Sequence, residues 1–135
     1  ITAIVGILDG KTHKFEYHAP GQGPLLFFHY KEQSHDTLDA SAVPLGILEN
    51  APLTPPEPFV FQPGDFLAVM SDGFFEYPDE QDELFGEDRV VNYLMEHRDD
   101  SAEKMVSGLV EEIAGFAQGA VQNDDMTIFI LKRSL

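Results

Sequence analysis

Two acidic residues stand where strongly apolar segments of the sequence meet loops. Asp72 directly follows the apolar segment 66–71, and Asp124 lies just before the apolar segment 126–132. Because a carboxylate is costly to desolvate, one that is fixed at the rim of a buried sheet contributes little stability by itself. Carboxylate oxygens are, however, the ligands that magnesium and manganese prefer. If the fold brings these two rims together, the pair predicts half of a divalent metal site.

Further carboxylates surround this pair. Asp125 adjoins Asp124, and since adjacent carboxylates repel each other, one of them is expected to be compensated by a cation or by hydrogen-bond donors. Glu76 lies four residues after Asp72, close enough to act behind the metal ligands. The rest of the acidic segment 76–88 does not match the calcium-loop template. We expect most of it to be a solvated, mobile surface loop.

Ordinary turns are the competing interpretation of both acidic sites. Asp72-Gly73 also suits a hairpin turn, although no alternating strand follows it. Residues 123–125 also suit a helix-to-strand turn, since Asn and Asp favour loops. The histidines lack the spacing of metal ligands and are interpreted as structural or surface residues. They are His13, His18, His29, His35 and His97.

The composition is that of one globular, strongly acidic domain, residues 1–135. A hydrophobic fraction of 43% suits a packed core, and the net charge of −16 opposes binding to nucleic acids or anionic membranes. No segment approaches the roughly 20 apolar residues of a membrane span. The absence of cysteine suits a reducing compartment, so we expect a cytoplasmic protein. Ile1 lies inside an apolar run, and we expect the chain to be part of a larger protein.

The N-terminal half has the pattern of antiparallel strands. Segments 1–8 and 14–18 are extended around a hairpin turn at Asp9-Gly10, and a rigid Pro- and Gly-containing turn at 19–24 leads to a third strand at 25–30. Prolines predict that residues 31–58 are irregular. Segments 59–61 and 66–71 are further strands, and the second is apolar on both faces, which favours a central position.

Two helices and a final strand complete the pattern, which predicts an α+β fold. The first helix carries Val90, Val91, Leu94 and Met95 at helical spacing. The second carries an apolar ridge of Met105, Leu109, Ile113 and Phe116. Asp100 with Glu103 fits a capping box at its start, and the region of Gly115 and Gly119 is expected to end it. Residues 126–132 form the last strand.

Taken in order, several short motifs resemble the SpoIIE/RsbU-like branch of the metal-dependent type-2C serine/threonine phosphatases. The motifs are Pro44-Leu45-Gly46, Pro63-Gly64-Asp65, Ser71-Asp72-Gly73-Phe74-Phe75-Glu76, Phe85-Gly86 and Asp124-Asp125-Met126-Thr127. Each is weak alone, but the ordered set covers essentially the whole chain. The chain resembles the C-terminal two thirds of such a domain. The resemblance implies an α-β-β-α sandwich of antiparallel sheets, here a partial domain, with two Mn²⁺ or Mg²⁺ ions between the sheets.

The resemblance also assigns residues. Asp72 and Asp124 match metal-binding positions of the family and would act in catalysis through metal-bound water, whereas Gly73, Glu76 and Asp125 would lie behind the ligands. Two departures matter. Where the family often has Ala-Gly-His-x-Pro-Pro, residues 19–24 contain no histidine, so no histidine role carries over. The family's first half, which supplies the ligand shared by both metals, is absent before residue 1.

The activity implied by the resemblance is hydrolysis of phosphoserine or phosphothreonine on a regulatory protein, namely a phosphorylated anti-sigma-factor antagonist. A sensor or receiver domain is expected upstream. Because part of the active site is missing, this chain alone is expected to be inactive. A degenerate phosphatase-like domain that binds a partner without catalysis is the alternative. A generic acidic scaffold is disfavoured, because Asp72 and Asp124 lie at apolar strand ends.

Overall fold

The computed structural model describes residues 1–49, 52 and 55–135. Within them the chain forms seven strands and two helices. The strands are β1 (Val5–Leu8), β2 (Lys14–His18), β3 (Leu25–His29), β4 (Ser34–Leu38), β5 (Phe59–Val60), β6 (Phe66–Met70) and β7 (Ile128–Lys132). The helices are α1 (Glu87–Glu96) and α2 (Ala102–Ala117). The predicted α+β class is confirmed.

The strands form two antiparallel sheets that pack face to face. The first has the order β1-β2-β5 and the second the order β4-β3-β6-β7. The chain crosses from the first sheet to the second through the predicted turn at 19–24. One core lies between the sheets, and another lies between the second sheet and the two helices. The described residues thus form three of the four layers of an α-β-β-α sandwich.

β6 occupies the centre of the second sheet, as its apolar sequence predicted. Because successive side chains of a strand point to opposite faces, Leu67 and Val69 pack towards the first sheet. Phe66, Ala68 and Met70 pack towards the helices. All five are buried, and burying each of the large ones contributes about 1.5–3 kcal/mol. The strand that leads to Asp72 is therefore firmly held on both faces.

The helices bury five of the eight predicted apolar positions, and the other three, Val91, Met95 and Phe116, are partly buried against the same core. Val90 and Leu94 of α1 are buried, as are Met105, Leu109 and Ile113 of α2. Gly115 lies inside α2, and the helix ends at Ala117, followed by Gln118 in the left-handed conformation. Within the described residues, no helix has the length and apolar character needed to cross a membrane.

The start of α2 differs from the predicted capping box. Ser101, rather than Asp100, is the N-cap, and its hydroxyl accepts a hydrogen bond from the Lys104 amide. Both residue types favour this position. The backbone carbonyl of Asp100 instead accepts a hydrogen bond of 2.6 Å from Lys132 Nζ, which fixes the connection between the helices to β7. Desolvation at this place lowers the pKa of Lys132, although Asp99 and Asp100 oppose that shift.

The expectation of an irregular segment over 31–58 is wrong for residues 34–38. These residues form β4, an edge strand that pairs with β3 along its whole length. All its residues but Leu38 are exposed. An edge strand can be held by backbone hydrogen bonds alone, so it needs no alternating apolar pattern and leaves no signal of that kind in the sequence. Residues 50, 51, 53 and 54 of the segment lie outside the described residues.

Two glycines of α2 give a matched test of the helix packing. A methyl group added at Gly108 would lie 2.0 Å from the Tyr93 hydroxyl oxygen of α1, whereas one added at Gly115 would meet nothing within 4 Å. We expect Gly115→Ala to raise the free energy of unfolding by about 0.5–1 kcal/mol through helix propensity. Gly108→Ala should lower it by about 1 kcal/mol, because overpacking outweighs the same gain. Denaturant titration of both variants is the measurement, and equal stabilisation by both would contradict this packing.

Candidate active site

Asp72 lies immediately beyond the end of β6, where the chain turns sharply. Ser71 is extended, and Asp72–Phe74 form a single 3₁₀ turn. The Asp72 carbonyl accepts hydrogen bonds from the amides of Phe75 (2.8 Å) and Glu76 (2.9 Å). Phe74 is buried in the core beneath the turn. The Asp72 backbone is therefore fixed, while its side chain is exposed to solvent. The alternative hairpin turn at Asp72-Gly73 is not formed.

Ser71 joins this turn to the acidic segment before β7. Its amide donates to the Thr127 carbonyl at 2.9 Å. Its hydroxyl donates to the Asp125 carbonyl at 2.9 Å and accepts from the Thr127 amide at 3.0 Å. We call this set of three hydrogen bonds the Ser71 clasp. Ser71 belongs to the motif 71–76, but the sequence gives it no role, because a serine at a strand end gives no signal of which backbone groups it will contact.

Gly73 packs directly against the same segment. A methyl group added at Gly73 would lie 2.5 Å from the Asp125 carbonyl oxygen and 3.4 Å from that of Asp124. Only a residue without a side chain permits this approach. Together with the Ser71 clasp, the contact brings the loop of Asp72 against the loop of Asp124 and Asp125.

We call the contact between these two loops the junction, and a cleft of about 340 Å³ opens beside it. It is lined by Gly73, Glu76, Tyr77, Leu84, Asn123 and Asp124. Asp72 precedes the first of these residues and Asp125 follows the last. Three of the five residues assigned from the sequence, Gly73, Glu76 and Asp124, therefore line this cleft, and Asp72 and Asp125 are chain neighbours of two of them. Tyr77 and Leu84 also line the cleft, and neither was singled out from the sequence.

The carboxylates of the candidate site are exposed to solvent. Asp72, Glu76, Asp124 and Asp125 all have exposed side chains. Asp124 Oδ1 accepts a hydrogen bond of 2.7 Å from the Asp125 amide. The compensation expected for the adjacent pair is thus supplied in part by a backbone donor. Solvent lowers the repulsion among the remaining charges.

The donor set fits a hard divalent cation in chemical type but not in number. Asp72 and Asp124 offer carboxylate oxygens from two fixed loops, which suits Mg²⁺ or Mn²⁺. In the part of the chain that the structure describes, however, no three side chains of His, Cys, Asp or Glu are grouped as metal ligands.

The acidic segment after Glu76 is mostly solvent-exposed and contains several hydrogen bonds. Asp79 Oδ1 accepts hydrogen bonds from the amides of Gln81 (2.8 Å) and Glu83 (2.9 Å). Arg89 contacts the Glu83 carboxylate at 2.6 Å and donates to the Phe85 carbonyl at 2.8 Å. This hairpin-like loop places Leu84 at the cleft. Asp79 therefore has structural partners.

The contact at Gly73 gives a test of the junction. Gly73→Ala should push the segment of Asp124 and Asp125 away, because the added methyl group meets backbone that cannot rotate aside. We expect a loss of about 1–3 kcal/mol in the free energy of unfolding. Gly10→Ala is the control, since a methyl group there meets nothing within 4 Å. Chemical denaturation measures both, and a Gly73→Ala variant as stable as the Gly10→Ala variant would rule out the close approach.

Two solved structures share this arrangement of strands and helices. The SiaA-PP2C domain of Pseudomonas aeruginosa matches 97% of this chain with a TM-score of 0.80 and 17% identity. The phosphatase domain of SpoIIE from Bacillus subtilis, in a structure described as Mn presoaked, matches 98% with a TM-score of 0.71 and 19% identity. The chain covers 51% and 56% of those two chains. At these identities the likeness shows a shared fold.

Sequence comparison gives the family. Phosphoserine phosphatase RsbU of Bacillus subtilis (strain 168) is 26% identical over 135 residues, which are 100% of this chain and 39% of RsbU. The chain thus spans well under half the length of that relative. The sequence model of the family described as Stage II sporulation protein E (SpoIIE) matches residues 1–134. The chain therefore belongs to the SpoIIE family.

Proposed function

We propose that this chain is part of a PPM-type (type-2C) metal-dependent protein phosphatase that hydrolyses phosphoserine or phosphothreonine. The observation that carries the proposal is the junction made by the Ser71 clasp and Gly73, which brings the loops of Asp72 and Asp124 to one cleft. Membership of the SpoIIE family and the similarity to phosphoserine phosphatase RsbU support it.

In this proposal Asp72 and Asp124 hold divalent cations, two Mn²⁺ or Mg²⁺ ions in the complete enzyme. Such ions, when bound, acidify water and neutralise phosphoryl oxygens. The two carboxylates suit this task because they bind hard cations without competing as nucleophiles. Further ligands would come from residues outside this chain.

The residues behind the two ligands have separate tasks. Gly73 keeps the two loops in contact, because it leaves room for the backbone of Asp124 and Asp125. Glu76 lines the cleft beside Asp124, where its carboxylate oxygens would accept hydrogen bonds from water and so orient it. The Asp125 amide donates to the Asp124 carboxylate and fixes its direction.

Net charge makes the cations essential to substrate binding. The chain carries a formal charge of −16, and the carboxylates of Glu76 and Asp124 line the cleft. A dianionic phosphoserine would be repelled by this field, and only bound cations can reverse it locally. The substrate that we propose is a phosphorylated regulatory protein of the anti-sigma-factor-antagonist type, in the cytoplasm. A sensor or receiver domain would precede the phosphatase domain in the same protein.

The shortage of ligands favours a second candidate, a degenerate domain that binds a protein partner without catalysis. Only two carboxylates assigned to metal binding lie among the described residues, and no group of three is present there. The two candidates differ in whether the longer protein that contains this chain supplies the missing donors.

Substitution of Asp72 tests the first candidate. In the full-length protein, Asp72→Asn should abolish manganese-dependent phosphate release from a phosphoserine protein, because the amide keeps the shape but loses the charge that binds the cation. The melting temperature in chelator should not fall, since removing one carboxylate relieves repulsion. Asp82→Asn is the control: Asp82 is exposed and has a positive φ of 62°, which Asn tolerates. Full activity of Asp72→Asn in a folded protein would refute the assignment.

Manganese titration separates the two candidates. We expect weak or absent Mn²⁺ binding by the 135-residue chain, because few protein ligands replace the water around the ion. The full-length protein should bind the ion clearly more tightly. Calorimetry on both proteins is the measurement. Equal affinities would show that no ligand outside this chain is needed, and absence of binding in both would favour the non-catalytic domain.

A further inference from the structure

The carbonyl at the end of β6 has an unusual hydrogen-bond donor. The side-chain amide of Gln22, in the loop between β2 and β3, donates through Nε2 to the Met70 carbonyl at 3.1 Å. Gln22 is half-buried. Met70 is the last residue of β6 and stands two positions before Asp72. The bond therefore joins the loop at 19–24 to the backbone that leads directly to the proposed metal ligand.

The strand register explains why a side chain is needed here. Leu25 of β3 pairs with Val69 of β6, so the next pair places Pro24 opposite Met70. Proline has no N–H to donate. The Ser71 amide points the other way, towards the Thr127 carbonyl, so the Met70 carbonyl faces the β3 side. Gln22 supplies the hydrogen bond that the backbone of β3 cannot.

Gln22 is mounted on a loop that is itself fixed. The Ala19 amide donates to Ser41 Oγ at 2.8 Å, and the Ser41 amide donates to the Ala19 carbonyl at 3.0 Å. The Gly21 amide donates to the Ala42 carbonyl at 2.8 Å. Backbone bonds on both sides of Pro20 thus hold the loop against the segment 41–42. A donor on so firmly held a loop can fix the position of the carbonyl that it contacts.

We propose that Gln22 is a positioning residue for Asp72, acting through the Met70 carbonyl. The end of β6 is then held from both neighbours, by the Ser71 clasp on the β7 side and by Gln22 on the β3 side. Gln22 does not contact substrate or cation. The inference rests on the proposed function for its effect on turnover, whereas its effect on cation binding can be measured independently.

Three substitutions in the full-length protein test this role. Gln22→Leu and Gln22→Glu both remove the donor, and Glu also places an acceptor against the carbonyl. Gln22→His keeps an N–H at similar reach. Gln62→Leu is the matched control, since Gln62 is exposed and lies before the start of β6, at the end of the strand away from Asp72. Steady-state phosphate release from a phosphoserine protein gives kcat and KM. Calorimetry gives the affinity for Mn²⁺, and thermal melts give the stability.

We expect Gln22→Leu and Gln22→Glu to lower kcat and Mn²⁺ affinity by about tenfold or more, as loss of partners behind metal ligands does. KM should stay within about twofold, and Gln22→His and Gln62→Leu should stay near wild type. Wild-type kcat and Mn²⁺ affinity in Gln22→Leu would overturn the inference. If Gln22→Leu does not fold, the comparison of Gln22→Glu with Gln22→His decides. Equal kcat and equal Mn²⁺ affinity for these two variants would also overturn the inference.

The same measurements separate this inference from the proposed function. If the wild-type protein releases no phosphate but Gln22→Leu still weakens Mn²⁺ binding, the phosphatase assignment fails and the positioning role stands. If the wild-type protein is active and Gln22→Leu matches it in every measurement, the positioning role fails and the phosphatase assignment stands.

Discussion

The antiparallel pairing of β6 with β7 determines where the acidic loops of this chain meet. The register runs from Phe66 opposite Lys132 to Met70 opposite Ile128, and Ser71 extends it by one backbone hydrogen bond to Thr127. Because side chains alternate between faces, a shift of one residue would turn the buried residues of β6 to the wrong core. Packing against both cores, one on each face, therefore fixes the register of β6 with β7. The register in turn fixes where Asp72 and Asp124 lie relative to each other along these two strands.

The carboxylates at the two ends of β6 differ in burial. Asp65, just before the strand, is the buried one, with 1% of its surface exposed. It accepts hydrogen bonds from the backbone amides of Tyr30 (2.9 Å) and Gln62 (2.7 Å). Asp72, just after the strand, is exposed. Burial with backbone partners suits a structural anchor, whereas exposure beside a cleft leaves oxygens free for a ligand.

The strongly patterned elements could be predicted from the sequence because their apolar residues are sufficient to define them. This holds for β6, which is buried on both faces, and for the ridge of α2. β4 was missed because it is a polar edge strand held by its neighbour. The N-cap was misplaced by one residue because Asp100 and Ser101 are both good caps, and the structure uses the Ser101 hydroxyl. Contacts between distant segments decide such choices.

The same limit applies to the candidate site. The sequence singles out Asp72 and Asp124, because strand-end carboxylates and family motifs point to them. Their exposure could not be predicted, because it depends on which segments surround the cleft. The roles of Ser71 and Gln22 could not be predicted either. Each makes side-chain hydrogen bonds to backbone groups at least 48 positions away in the chain, and such pairings become visible only in the folded molecule.

The hydrogen bonds of Ser71 and Gln22 hold in place loops whose carboxylates repel one another. Carboxylates on neighbouring loops repel each other, and the net charge of −16 adds to that repulsion. Burying them would cost more than the fold can recover. The structure instead fixes their backbone through neutral hydrogen bonds at Ser71 and Gln22 and leaves the charged groups in solvent. Solvent thereby screens the repulsion between the carboxylates.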